Sequence, residues 1–215
     1  MYGTIMPTAS TSSIFRNSES TEPYQANVFS RDVISGSYLI TNRHLEYDLK
    51  RIGCWSEALA KFIIICQGSV KHIIAYITDH PLEFPTAFNE NNIIPEVLQR
   101  LQYLVRKYKT TYEISQKCLI KYNRQRGIYI DQSQSFNIHL KDPTLRQLKA
   151  IHSLTSKEGV KTGMYYLRQS PTTFIGTFDA DMDLLAYYKT LNPDNNSDSA
   201  KACRLRSGSG CMACQ

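Results

Sequence analysis

The sequence has little that would mark a membrane-spanning or secreted protein. Its densest apolar run, Phe62 to Cys66, is only five residues long, whereas a membrane-spanning helix needs about 20 apolar residues. The first twenty residues are rich in serine and threonine and lack an apolar run, so they do not have the pattern of a secretory signal peptide. We therefore expect a protein of the cytoplasm that does not act at a membrane.

The chain also lacks a recognisable metal-binding pattern. The one C-x-x-C pair, Cys211 and Cys214, has no second pair to complete the four ligands that structural zinc requires. The histidines match no metal spacing; they are His44, His72, His80, His139 and His152. We predict no metal in this chain.

The six cysteines are not spaced as the disulfide framework of a small secreted protein. Cys54, Cys66 and Cys118 lie within helical patterns, and we predict that they are buried thiols. Cys203 lies with Cys211 and Cys214 near the C-terminus, and nothing in the sequence assigns it a role.

The composition is that of a globular protein with one core. Of the 215 residues, 42% are hydrophobic and 20% are charged, and the formal net charge is +6. That charge favours anionic ligands without requiring nucleic acid. Basic residues decorate the helices predicted between 95 and 126, but no aromatic or glycine-rich binding motif accompanies them. A solvated helix face is therefore expected, and a nucleic-acid-binding protein remains the weakest alternative.

Hydrophobic periodicity and turn residues predict alternating strands and helices. Residues 69–94 are predicted to be an irregular surface insertion, and residues 192–215 have the composition of a flexible linker. The predicted elements of the first half are a strand at 1–6, a strand at 28–40 with a turn near Ser35–Gly36, and a helix from Asn42 to about Cys66 with a break or kink at Gly53. A helix opened by Pro95, a helix ended by Gly127 and a strand at 128–138 follow. The last predicted elements are a helix from Asp142 to Gly159 with an inner stripe of Leu145, Leu148, Ile151 and Leu154, a strand at 161–168, and a short helix within 177–191.

Two adjacent tyrosines, Tyr165 and Tyr166, lie within the strand predicted at 161–168. Neighbouring side chains of a regular strand point to opposite faces, so both rings could not serve one core. One alternative is one buried and one half-exposed ring. The other is that the strand ends here and both phenols turn into a site, where each can lose a proton together with an electron.

The segment Pro7 to Ile14, with the sequence PTASTSSI, places small hydroxyl residues between a predicted strand and a predicted helix. Free backbone N–H groups at the positive end of a helix suit an anion, and Thr or Ser can cap such an end. A plain helix cap and a disordered serine-rich terminus are the alternatives.

The C-terminal pair, Cys211 and Cys214, fits a redox-active dithiol on a flexible tether. Arg204 and Arg206 lie nearby in sequence and can lower thiol pKa values. As a flexible coil, the tether from Leu191 to Cys211 has a root-mean-square reach of about 25 Å. Such a pair could visit a buried disulfide and return to solvent.

Three ordered motifs resemble the large subunit of class I ribonucleotide reductase. They are PTASTSSI, continued by EPYQANVFSRDVISGSYLITNRHL, then IDQSQSFNIHLKDP, and finally KTGMYYLR. The resemblance implies an α/β fold in which residues 1–191 form the closing part of a ten-stranded barrel, with 192–215 as a redox tail. It also implies reduction of ribonucleoside diphosphates by radical chemistry.

The resemblance implies a role for each motif. Thr8, Ala9, Ser10 and Thr11 would bind the substrate diphosphate. Tyr165 and Tyr166 would relay a radical from a separate small subunit, which carries a di-iron or similar cofactor. Cys211 and Cys214 would re-reduce the active site and be reduced in turn by thioredoxin or glutaredoxin. A second large subunit is the expected dimer partner.

The family's thiyl-forming cysteine, its active-site disulfide pair and its catalytic Asn and Glu have no counterpart in this sequence. We therefore expect a fragment, or the product of a split reading frame, that is inactive by itself. The alternative is a catalytically incomplete module that only binds another subunit.

Overall fold

The computed structural model describes residues 3–34, 36–90, 92–170 and 182–192. The chain divides into two compact units, residues 1–171 and 172–215. Helices and strands are both present, which agrees with the predicted α/β class.

The first unit opens with a short helix and a hairpin. Helix α1 spans Ala9–Phe15. Strands β1 (Val28–Val33) and β2 (Gly36–Thr41) then pair antiparallel, with Val28 opposite Thr41. Val33 pairs with Gly36, which agrees with a chain reversal near the predicted position, although Ser35 itself lies outside the described residues.

The long helix predicted from Asn42 is in fact two helices. The Asn42 side chain accepts the His44 N–H and caps α2 (Arg43–Arg51). Gly53, with a φ of 68°, takes the left-handed conformation that a continuous helix cannot include. Ser56 then accepts the Leu59 N–H and starts α3 (Glu57–Ile65). The break predicted at Gly53 is therefore a complete one.

The segment predicted as an irregular surface insertion is ordered. It contains α4 (Ile73–Asp79), two single turns of 3₁₀ helix at Pro81–Glu83 and Pro85–Ala87, and a minimal antiparallel pair, β3 (Phe88–Asn89) with β4 (Asn92–Ile93).

The same segment supplies much of the hydrophobic core, so its predicted surface position is wrong. The Tyr76 ring stacks on Phe62 of α3 with 4.6 Å between centroids. The prolines obscured a short helical stripe, and that stripe packs inward because it is apolar on one face. The side chains of this segment that are 1% exposed or less are Val70, Ile73, Tyr76, Ile77, Phe84 and Ala87. That the segment is an insertion relative to the resembled family stays a prediction.

Two amphipathic helices follow. Helix α5 spans Pro95–Lys107, opens at Pro95 as predicted, and buries Leu101 and Leu104. Helix α6 spans Gln116–Gly127, so its predicted end is confirmed.

A parallel strand–helix–strand unit completes the described part of the first unit. Strand β5 (Ile138–Leu140), helix α7 (Leu145–Lys157) and strand β6 (Leu167–Gln169) follow one another, and Ile138 lies opposite Leu167. The parallel arrangement was predicted, but both strands are shorter than expected. Residues 128–137 lie outside any named strand, with one isolated bridge at Gln134.

A small apolar cluster lies between this unit and α6. Its buried centre is Ile120, Phe136 and Ile138, and Ile151 and Leu154 of α7 pack against it. Leu145 is 69% exposed, so its place in the predicted inner stripe of α7 is wrong. It opens the helix, one turn before the surface that faces the cluster.

The thiols are partly as predicted. Cys54 and Cys66 are buried, and burial raises the pKa of the Cys54 thiol to about 11. Cys118 is exposed, contrary to the prediction, because its position on α6 faces away from the cluster around Ile120.

The second unit is described only at helix α8 (Met182–Leu191), which falls within the predicted 177–191. Among the described residues of either unit, no helix is both long and apolar enough to cross a bilayer.

Two glycines with positive φ test how tightly the first unit is packed. Gly68 (φ 75°) and Gly159 (φ 66°) both follow helices, but a Cβ at Gly68 would lie 2.6 Å from the Ala26 Cα, whereas a Cβ at Gly159 would meet nothing within 4 Å. We expect Gly159→Ala to cost about 1–2 kcal/mol, the left-handed strain alone. Gly68→Ala should cost clearly more in urea denaturation; equal costs would contradict this packing.

Candidate active site

The segment 131–140 lies between two other stretches of chain and pairs with both. On one side the Gly3 carbonyl accepts the Asp131 N–H at 3.0 Å, and the Ile5 carbonyl accepts the Ser135 N–H at 2.9 Å. Ile5 and Gln134 form a parallel bridge. On the other side β5 pairs in parallel with β6. Three parallel stretches therefore lie side by side.

The register of these stretches brings two of the predicted site motifs to one level. Ile5 lies opposite Gln134, and Ile138 lies opposite Leu167. Thr8, where α1 begins, lies three residues after Ile5. Asn137, which lies beside Tyr166, follows Gln134 by three residues as well. Adjacent strands are about 4.8 Å apart, so the stretch that leads into α1 and the tyrosine segment flank residues 131–140 about 10 Å from each other, or two strand spacings.

The start of α1 offers unpaired backbone donors. The first bond within the helix runs from the Ser12 N–H to the Thr8 carbonyl at 2.7 Å. The N–H groups of Ala9, Ser10 and Thr11 precede it and have no acceptor within the helix. All four predicted diphosphate-binding residues, Thr8 to Thr11, are exposed.

The capping predicted for this helix is not the one observed. Thr8 has a φ of 52°, and its side chain makes no cap hydrogen bond. Instead its Oγ1 accepts the Ser20 N–H at 2.9 Å, which fixes the loop after α1 against the loop before it. The helix end is thus left open to solvent.

The two tyrosines lie just before β6, not within a strand as predicted. Their rings contact each other, with 4.4 Å between centroids and 62° between planes. Tyr165 is 52% exposed and Tyr166 is 55% exposed. The hydrogen bond between the two hydroxyls raises the pKa of Tyr165. Of the two alternatives, the structure agrees with paired phenols rather than with one core ring.

Glu22 and His139, a residue of the 131–140 segment, form a buried polar pair that was not predicted from the sequence. His139 is 2% exposed, and its Nε2 is 3.6 Å from the Glu22 Oε2. Burial, and secondly the charge of Arg168, lower the pKa of His139 to about 4, while burial raises the pKa of Glu22. The imidazole is therefore neutral at pH 7. Glutamate is rarely buried and histidine is intermediate, so nothing in the sequence pattern marked the pair.

An ion pair joins β6 to the loop after α1. The Arg168 guanidinium donates to the Glu19 carboxylate at 2.7 Å. Arg168 ends the KTGMYYLR motif, and no partner for it could be predicted from the sequence. The pair ties the tyrosine segment to the segment that follows the predicted anion site.

A cavity of about 360 Å³ lies beside the second half of α1. Its lining includes Ser12, Arg16, Arg31 and Arg168, but none of Thr8 to Thr11. The predicted diphosphate residues thus face open solvent rather than this cavity.

Two further expectations concern the C-terminal cysteines and metal binding. Cys211, Cys214 and Cys203 fall outside the described residues, so the tail remains a prediction. Within the part of the chain that the structure describes, no group of three or more His, Cys, Asp or Glu side chains could hold a metal ion.

Comparison with known proteins gives the family. The sequence profile of the ribonucleotide reductase barrel domain matches residues 1–166. The chain belongs to this family. The resemblance found in the three motifs is thereby confirmed, as is the expected barrel-type α/β fold, although the described strands do not close a barrel.

Three curated relatives share the name ribonucleoside-diphosphate reductase large subunit. The chain is 38% identical to the ribonucleoside-diphosphate reductase large subunit of Danio rerio over 97% of its length, and 34% identical to that of Arabidopsis thaliana over 97%. It is 39% identical to that of Dictyostelium discoideum over 82%. The chain spans only 24%, 24% and 18% of these relatives, respectively. It therefore matches a portion of the large subunit.

The neutral His139 predicts how stability responds to acid. The unfolded chain takes up a proton at this histidine near the ordinary value of 6.5, but the folded chain does so only near 4. Stability should therefore fall as the pH drops from about 6.5 to 4. His139→Gln should lose less stability in that window.

Chemical denaturation at a series of pH values measures this difference. His152→Gln, which removes an exposed histidine from α7, is the control. Identical pH profiles for wild type and His139→Gln would show that His139 is not held neutral by its surroundings.

Proposed function

We propose that this chain is the barrel portion of a ribonucleoside-diphosphate reductase large subunit, which converts ribonucleoside diphosphates to deoxyribonucleoside diphosphates by radical chemistry. Family membership and the relatives' name support this proposal. The observation that carries it is the shared register, in which an open helix N-terminus and a contacting tyrosine pair lie at one level of three parallel stretches.

The substrate diphosphate binds at the start of α1. The free N–H groups of Ala9, Ser10 and Thr11 point along the helix axis, where the partial positive charge of the helix favours an anion. The hydroxyls of Thr8, Ser10 and Thr11 supply further donors. Small side chains let the phosphate oxygens approach the backbone.

The tyrosine pair carries the radical. Each phenol can give up its proton and an electron together, and the ring contact of 4.4 Å allows transfer between the two. Half exposure of both rings leaves a face for the separate small subunit, whose di-iron or similar cofactor would generate the radical. The chain itself needs no resident metal for this role.

The C-terminal dithiol restores reducing equivalents. Cys211 and Cys214 reduce a disulfide formed in the active site and are then reduced by thioredoxin or glutaredoxin. Of the described thiols, Cys54 and Cys66 are poor alternatives, because burial raises the pKa of both and so disfavours the reactive thiolate.

The dithiol role predicts a reversible disulfide between Cys211 and Cys214, with both thiols reactive when reduced. Differential alkylation followed by mass mapping should find Cys211 and Cys214 labelled only after reduction, the exposed Cys118 labelled both before and after it, and Cys54 and Cys66 protected by burial. Stoichiometric zinc that survives dialysis and protects the tail thiols would contradict a redox tail.

A second candidate is a subunit-binding module without catalysis, because the chain spans less than a quarter of its relatives. Joining it to the remaining part of a relative's large subunit separates the two. A functional barrel portion restores turnover with a small subunit, a dithiol and a ribonucleoside diphosphate. A module that only binds assembles without turnover.

Tyr165→Phe and Tyr166→Phe test the relay in that completed enzyme. Phe keeps the ring but lacks the O–H, so each variant should lose turnover to background while folding and nucleotide binding remain. If the hydroxyls only aid packing, each variant should keep near-normal activity, and its stability should change little because both rings are half exposed.

Tyr122→Phe is the matched control, since Tyr122 lies on α6 and is 58% exposed, close to the exposure of the pair. The double variant should be no worse than either single one, because either gap breaks the same path. Near-normal turnover in either single variant would refute the relay.

A further inference from the structure

The backbone bonds at the tyrosine pair depart from a regular parallel ladder. In a regular ladder the single residue opposite Asn137 would donate to the Phe136 carbonyl and accept from the Ile138 N–H. Here the two bonds come from neighbouring residues. Tyr165 donates its N–H to Phe136 at 2.8 Å, and the carbonyl of Tyr166 accepts from Ile138 at 2.9 Å.

Two residues therefore oppose one, which defines a β-bulge. Bulges are rare in parallel pairs, and they leave one residue without its ladder bond. The group left without a backbone acceptor here is the N–H of Tyr166. It donates to the Oδ1 of Asn137 at 3.1 Å, so the side chain of the opposing residue replaces the missing backbone acceptor.

The bulge explains how adjacent rings come into contact. Side chains next to each other in a regular strand project to opposite faces. An extra residue interrupts that alternation and re-aims a side chain, so Tyr165 and Tyr166 can lie on one side with their ring centroids 4.4 Å apart.

Asn137 is itself held in place by Glu22. It is 3% exposed, and its own N–H donates to the Glu22 Oε1 at 3.2 Å. A side-chain hydrogen bond from Asn137 to the same carboxyl opposes the rise in the pKa of Glu22 that burial causes. Glu22, Asn137 and Tyr166 thus form one connected path of hydrogen bonds.

We propose that Asn137 is a positioning residue for the tyrosine pair, with its side-chain oxygen stabilising the bulge that brings both phenols to one side. The positioning role rests on the relay proposed above, whereas the bulge and its bond do not. Glu22 supports Asn137 and has no direct contact with either ring.

Amide hydrogen exchange in the full chain tests the bulge. In the wild type, the Tyr166 N–H should be protected like those of Tyr165 and Ile138. In Asn137→Ala, exchange should accelerate at Tyr166 alone, and the cross-peaks between the two rings should weaken. Acceleration at all three amides reports general destabilisation and counts against a specific bond.

Asn123→Ala is the matched control. Asn123 is also a buried asparagine, 1% exposed, but its side chain has no hydrogen-bond partner among the described residues. It should leave exchange at Tyr166 unchanged. If Asn137→Ala does not fold, the wild-type measurement still decides: a Tyr166 amide that exchanges as fast as an open loop overturns the bulge.

Turnover of the completed enzyme then tests the role. A displacement near 1 Å can cost about 100-fold in rate, so Asn137→Ala should lower kcat by about 10–100-fold with KM little changed. If Tyr166→Phe is inactive but Asn137→Ala keeps full kcat, positioning fails and the relay stands. If Tyr166→Phe stays active, the relay fails, and with it the positioning role.

Discussion

The backbone pairing of residues 131–140 on both of its edges is the constraint on which the rest of the site depends. This segment bonds to Gly3 and Ile5 on one side and to Tyr165 and Tyr166 on the other. Each motif is short and mostly irregular by itself, and neither could fix its position alone. The shared neighbour sets their register, and the register sets which chemical groups face one another.

Polar contacts outside the ladder reinforce this arrangement. The ion pair between Arg168 and Glu19 joins the tyrosine segment to the loop after α1. Glu22, from the same loop, reaches the Asn137 backbone and lies beside His139. Burying a charged group is costly, and the neutral form of the buried His139 avoids that cost. The loop after α1 therefore helps to fix the positions of the segments that form the site.

The sequence predicted the parts of the fold that depend on local chemistry. Asn42 caps a helix, Pro95 opens one, Gly127 and Gly159 end two, and the hairpin turns beside Gly36. It failed where tertiary contacts decide. The stripe around Tyr76 is buried because α3 covers it, and the 128–138 segment makes strand bonds only where a partner lies opposite.

For the site, the motifs were visible in the sequence but their geometry was not. Adjacent tyrosines could be recognised as unusual, yet only the bond between Tyr166 and Asn137 shows how both rings reach one side. Glu22 and His139 carried no pattern, because burial of a glutamate or a histidine depends on neighbours more than one hundred residues away.

The most direct test of the account is the distance between the bound substrate and Tyr166. With 3-aminotyrosine at position 166 of the completed enzyme, a radical trapped there can be measured against the phosphorus of a bound ribonucleoside diphosphate by pulsed electron–nuclear double resonance. Two strand spacings predict a phosphorus coupling that corresponds to about 10 Å. The absence of a coupling in an enzyme saturated with substrate would place the diphosphate elsewhere and contradict the shared register as the basis of the site.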